Sequence, residues 1–292
     1  MLLGSVQMCG QQVGSSECKD IHKSLTNNQL RVLSLRECTL SDKHFRQLME
    51  GVGKSSSLLH LNLNVSVINS LRRIAYLTNA LQSNRSLTTL LLHSSNLADD
   101  GMAMLASALN NHPHIVTLDV GDAHISDDGL MHVTKLLARN GAKPGLQNLT
   151  LSANRSVTSF AWNLFFAAIN HNDRLESLQI DYNQLGDYAA AGLSVAIASC
   201  QQLHSLDIEG CSIGEQGGRS LLFSIRSYNK SLRRLSIAEN DISPQTFNEL
   251  TCCIQENNRS AQSVSSPCMS DVTTSDLTSV SDEENACVED IS

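Results

Sequence analysis

Aliphatic residues return along this chain at fixed intervals. The pattern L-x-x-L-x-L-x-x-(N/C/S)-x-L begins at Leu30, Leu58, Leu87, Ile115, Leu146, Leu175, Leu203 and Leu232, and the copy at Leu146 holds one extra residue. Successive starts lie 28, 29, 28, 31, 29, 28 and 29 residues apart. A degenerate copy opens the chain, with Leu3, Val6, Met8 and Val13 standing 27 residues before Leu30, Leu33, Leu35 and Leu40. Each copy changes period halfway. Leu33 and Leu35 alternate with Ser34, as in a strand. Leu40, Leu48 and Val52, or Ile213, Leu221 and Ile225, then fall about four apart, as on one face of a helix. Helix starts are signalled by Ser41-Asp42, Ser126-Asp127, Thr158-Ser159 and Ser243-Pro244. Gly101, Gly129 and Gly217 share one slot in the first turn, where a small residue predicts close approach of strand and helix.

The predicted unit is therefore strand, loop, helix, loop, and it cannot stand alone. Fixing about 28 backbones costs about 1–2 kcal/mol each. Roughly seven buried side chains return only about 1.5–3 kcal/mol apiece. Stacking completes both the strand hydrogen bonds and the helix burial. This predicts an α/β solenoid of about nine units over residues 1–258, a curved arc with a parallel sheet inside and helices outside.

The period near 28, the helical second half and the slot occupied by Cys38, Asn154, Asn183, Cys211 and Asn240 resemble the ribonuclease-inhibitor class of leucine-rich repeats. The resemblance covers about Leu3 to Asn257. It implies that the slot side chain bonds loop backbone between neighbouring units, with Ser66 and Ser95 as partial substitutes and Ala123 as a gap. A weaker ladder near the middle follows. The last helix, Pro244 to Glu256 with Phe247, Leu250 and Ile254, is expected to cap the stack and to bury Cys252 and Cys253.

Composition narrows the function. Only 4% of the residues are aromatic. The net charge of −8 sits mostly in Ser260–Ser292, which holds seven acids and no Lys or Arg, so the body is near −1. No basic stripe favours nucleic acid or a membrane surface, and no apolar run is long enough to span a bilayer. The start lacks a signal-peptide pattern. Nine cysteines, an odd number without paired clusters, read as reduced thiols and hence as a cytoplasmic protein, or a nuclear one. The serine-rich acidic stretch 259–292 has a disordered composition. In it, Ser279 and Ser281 precede Asp282, Glu283 and Glu284 and are candidate phosphorylation sites.

Candidate chemistry is sparse. Gly51-Val-Gly-Lys-Ser55 resembles the end of a phosphate loop, but it lacks the first glycine at Leu48 and follows a helical face, so it reads as a helix C-terminal turn. Ten histidines show no metal spacing and read as solvated. Trp162 and Phe166 read as packing. No catalytic constellation, metal or cofactor is expected. Loops lengthened at Asn69–Arg73 and Asn140–Gly145 read as drift in loop length.

The informative surface is the concave one. Asp119, Asp122, Asp181, Tyr182, Asp207, Glu209 and Glu239 project from its strands and strand ends. Neighbouring strands about 4.8 Å apart bring Asp181, Tyr182, Asp207, Glu209 and Glu239 into an acidic patch with one aromatic anchor, suited to a basic protein surface. On an open arc these carboxylates are expected to stay solvated, which disfavours acid–base catalysis. The expected function is a non-enzymatic, monomeric protein-interaction module. The alternative is a small-GTPase regulator, because Ran GTPase-activating proteins resemble this chain in repeat class and acidic tail; actin capping, as in repeat proteins of the tropomodulin kind, is a minor reading, since those carry extra actin-binding segments that this sequence does not show.

Overall fold

The structure, a computed structural model, describes residues 4–137, 145–170 and 172–265. Strands and helices alternate strictly. The strands are β1 (Gly4–Cys9), β2 (Leu30–Arg36), β3 (His60–Asn62), β4 (Thr89–Leu91), β5 (Thr117–Asp119), β6 (Asn148–Thr150), β7 (Ser177–Gln179), β8 (Ser205–Asp207) and β9 (Arg234–Ser236). The helices are α1 (Ser15–Thr26), α2 (Asp42–Lys54), α3 (Leu71–Ser83), α4 (Ala98–Leu109), α5 (Asp127–Leu136), α6 (Ser159–Ile169), α7 (Gly186–Ser199), α8 (Glu215–Ser227) and α9 (Pro244–Ser265). All nine strands form one sheet, in sequence order and parallel throughout. The aligned leucines set the register. Val6, Leu33, Leu61, Leu90, Leu118, Leu149, Leu178, Leu206 and Leu235 face one another across successive strands. They meet the helices on one continuous core.

A shared turn follows each strand. Gly10, Glu37, Val65, Ser94, Asp122, Ala153, Tyr182, Gly210 and Glu239 all hold φ between +47° and +65°. Their spacing reproduces the repeat, including the degenerate first unit. Seven are not glycine, at about 1–2 kcal/mol each. Backbone bonds hold the turn in place: Tyr182 N donates to Glu209 O at 2.8 Å, and Asp122 N to Ser152 O at 2.7 Å.

Two side-chain ladders then tie unit to unit. In the expected slot, Asn154, Asn183 and Asn240 donate to carbonyls of their own turn and of the preceding strand end, and Cys211 Sγ donates to Ile180 O at 3.2 Å. The gap is wider than Ala123 alone, because the serines do not substitute. Ser66 is exposed and its neighbour Val67 is buried instead, while Ser95 Oγ is buried without a partner. Asn154 Oδ1 spans the Ala123 gap by accepting from Ala123 N at 3.1 Å. The second ladder stands three residues before the first leucine. Asn84 donates to Val52 O and Ser55 O and accepts from Ser86 N and Leu87 N; Asn229 repeats this with Ile197 O, Cys200 O, Ser231 N and Leu232 N.

Carboxylates in the first helical turn reach forward to the next helix. Asp99 accepts from Ser126 N, Ser126 Oγ and Gly129 N at 2.8, 2.6 and 2.9 Å. Asp187 accepts from Gly214 N and Gly217 N, Asp127 from Thr158, and Glu215 from Ser243 N and Thr246 Oγ1. Thus the recurrent glycine serves approach between helices of adjacent units, not strand against helix. A Cβ on Gly129 would stand 2.5 Å from Asp99 Oδ1, and one on Gly101 2.5 Å from Ile74 Cδ1. Ser41, Thr158 and Ser243 cap their helices as expected, whereas Ser126 gives its hydroxyl to Asp99.

Other expectations change in detail. Of the stretch expected as a lengthened loop, Leu71–Arg73 is the first turn of α3; Arg73 is buried there, bonds Asp42, Val67 O and Leu40 O at 2.9, 2.7 and 2.6 Å and lies 5.2 Å over the Phe45 ring. This helical arginine clamps α3 to the preceding unit. Trp162 packs in a buried cluster with Phe165 and Phe166. Helix α9 buries Thr246, Leu250, Cys253 and Asn257, while Phe247 and Cys252 are exposed. Adjacent helical residues point about 100° apart, so the two cysteines cannot share the core. Among the described residues α9 extends to Ser265. Ser279, Ser281 and most of Asn140–Gly145 lie outside the described residues.

Candidate binding surface

The face of the sheet turned from the helices carries the predicted site in adjacent columns. Asp119 and Asp207 sit at the last positions of β5 and β8, Asp181 and Glu209 two residues past the ends of β7 and β8, and Asp122, Tyr182 and Glu239 on the left-handed turns. Tyr182 and Glu239 are exposed and the others half-buried.

The structure joins five of the seven. Tyr182 Oη donates to Glu209 Oε1 at 3.1 Å. That bond, desolvation, and the charges of Glu209 and Glu239 push the phenol up to about 12. Burial raises Asp207 above the ordinary carboxylate range, against the bond from Glu209 N, and the charges of Asp181 and Glu209 raise it further. Asp181 accepts from Ser152 Oγ, which fixes it toward β6. Asp181, Tyr182, Asp207, Glu209 and Glu239 thus form one electrostatic group across three neighbouring strand ends.

Of the other two, Asp122 stands apart and Asp119 meets the group only through the charge of Asp181. Asp122 accepts from Ser94 Oγ at 2.9 Å, toward β4. Asp119 accepts from Gly121 N at 3.0 Å and lies 3.4 Å from His93 Nδ1. Burial raises Asp119 too, outweighing His93, and Asp181 adds to the shift. Full solvation of these carboxylates is therefore corrected. The strand pleat and the covering side chains desolvate Asp119 and Asp207 even on an open sheet.

Solvated histidines are corrected at one position. His112 is 2% exposed and occupies the second-ladder position held by Asn84 and Asn229. Burial, with the Arg85 charge behind it, lowers its imidazole to about 4, and Nε2 has no partner. His93 and Ser152 hold the repeat position of Asp181 and Glu209, and Ser94 that of Asp122, so the register brings these supporting groups to the surface as well; Arg234 on β9 adds an exposed cation beside the patch. Gly51–Ser55 ends α2, as expected of a helix C-terminal turn. Among the described residues no group of His, Cys, Asp or Glu could hold a metal ion, and no helix is long and apolar enough to cross a membrane.

A family model described as Leucine Rich repeat matches residues 111–132 and 199–222. Leucine-rich repeat-containing protein 73 of Rattus norvegicus is 39% identical over 256 residues, covering 88% of this chain and 81% of that protein, and the Homo sapiens protein of the same name matches equally. The chain belongs to the leucine-rich repeat family. Two solved leucine-rich repeat structures are similar at low identity. Leiomodin-1 actin-binding site 2 gives a TM-score of 0.47 at 16% identity, over 56% of this chain and 92% of that one. The tropomodulin C-terminal domain of Caenorhabditis elegans gives 0.42 at 15%, over 65% and 96%. Leucine-rich repeats generally serve as binding modules, and the family membership carries that coarse reading to this chain.

Proposed function

We propose that this leucine-rich repeat protein binds a partner protein through the open face of its sheet, and that the partner presents a basic surface. The observation that carries this is the coupled group Asp181, Asp207, Glu209 and Glu239 around Tyr182. Like charges placed together are costly unless a cation neutralises them. A Lys- or Arg-rich surface lowers the Asp207 carboxyl and removes that cost on binding. Tyr182 offers a large ring already held by Glu209, so little side-chain freedom is lost when it is covered.

Binding of this kind has a pH signature. A cation favours the ionised carboxyl, so affinity falls as the pH drops through the raised range of Asp207 and Asp119. The test is comparative affinity capture with the wild-type chain and the Asp181→Lys, Asp207→Lys, Glu209→Lys triple variant, each first shown to unfold at a similar temperature. Partners with basic surfaces are expected to be lost from the variant. Identical partner sets for both chains reject the open face as the binding site.

A further inference from the structure

Charge is split along the solenoid. Residues 1–85 hold ten Lys or Arg against five Asp or Glu, a net +5; residues 86–259 hold eleven against seventeen, a net −6; Ser260–Ser292 adds seven acids. The cationic end coincides with a trough in the helix layer, on the opposite side from the acidic patch. Between α2 and α3, two adjoining hollows of about 340 and 670 Å³ share Arg46, Glu50 and Tyr76 as walls. Met49 and Ala80, both nearly buried, floor the deeper part. Lys43 and Arg72 stand at one end and Lys54 at the other. Asp42 is engaged by Arg73 and Glu50 by Arg46, each at 2.9 Å. Among the described residues Lys43, Lys54 and Arg72 make no ion pair, which leaves three cations beside an apolar floor.

We propose that this trough receives the chain's own acidic segment Asp271–Asp290. That segment carries all seven tail acids, interleaved with Val272, Leu277, Val280 and Val288, which matches uncompensated cations around an apolar floor. Length decides the route. The trough lies six helix positions from α9, about 50–60 Å at 8–10 Å per helix. Seventeen residues separate Ser265 from Asp282, and a fully extended chain spans about 3.3–3.6 Å per residue. The tail of the same chain reaches only when stretched, whereas that of a second copy is unconstrained. Phosphate on Ser279 or Ser281 would add about −1.5 to −2 charges each and tighten the contact.

Carbodiimide coupling of the full chain, which joins lysine amines to carboxylates in direct contact, tests this. Mass spectrometry is expected to find Lys43 or Lys54 joined to the segment Asp271–Asp290. The yield should fall at least fivefold in 0.5 M salt and in the Arg46→Glu, Arg72→Glu double variant, which keeps both lysines. Mixing isotope-labelled and unlabelled chains separates joining within one chain from joining between two, and either product supports the proposal. Tail carboxylates joined only to lysines elsewhere, such as Lys230, or Lys43 and Lys54 products unmoved by the double variant, overturn it.

Discussion

The ring of Tyr182 lies across Gly210 of the following unit so closely that a Cβ on Gly210 would stand 2.6 Å from its Cδ1. Both residues occupy left-handed turns, at φ +55° and +60°. Glycine here serves two ends, the turn and the seat of the aromatic anchor. Gly210→Ala is predicted to cost about 2–3 kcal/mol, of which the left-handed backbone accounts for about 1–2 and displacement of the ring for the rest. In a Tyr182→Ala background only the backbone part should remain. A double-mutant cycle by denaturant unfolding measures the difference, and equal costs in both backgrounds would show that the ring does not press on Gly210.

His112 gives the fold a dependence on pH. Its folded-state value, about 4, lies below the unfolded value near 6.5. The unfolded chain therefore takes up the proton first, and stability is lost as the pH falls from 6.5 toward 4, by up to about 3 kcal/mol. His112→Asn restores the residue that the ladder uses at Asn84 and Asn229, whose amides bond two carbonyls of the preceding turn. The variant is predicted to be more stable at pH 7 by about 1 kcal/mol and to have a shallower slope between pH 6.5 and 4.5. Unfolding curves over that range check it; an unchanged slope would remove His112 as the cause.

The forward-reaching carboxylates separate two neighbours in one helical turn. Asp99 satisfies three donors of the next unit, whereas Asp100 is exposed and has no such bond among the described residues. Asp99→Ala should cost about 2 kcal/mol by stranding donors at the α5 N-terminus. Asp100→Ala should change stability by less than about 0.5 kcal/mol. Thermal unfolding of the two variants, side by side, decides whether the latch or mere helix-end charge matters.

The leucine spacing made the strand register legible, because a buried position every second residue admits only one alignment between neighbouring units. Leu33 opposite Leu61 and Leu206 opposite Leu235 follow directly. The columns of the candidate surface came with the register, so Asp181, Tyr182, Asp207, Glu209 and Glu239 could be placed together. What apolar periodicity does not encode is which polar atom meets which. Asp99 and Asp187 stand in the first turns of their own helices, yet they bond the next. The second asparagine ladder lay in the loops, although Asn or Ser three residues before the leucine at Ser55, Asn84, Asn172 and Asn229 was a usable signal. The raised Asp119 and Asp207 depend on how deep each carboxyl sits, which is a property of packing.

Titration calorimetry of a captured basic partner against the folded chain tests the central claim most directly. Three forms are compared: wild type, Asp181→Lys with Glu209→Lys on the open face, and Asp100→Lys with Asp128→Lys on the helix layer, which changes the net charge by the same amount. The account predicts an affinity loss of about 5- to 50-fold for the open-face variant, with the control close to wild type and the wild-type affinity falling as the pH is lowered. Equal affinities for all three forms, or a loss as large in the control, would contradict it.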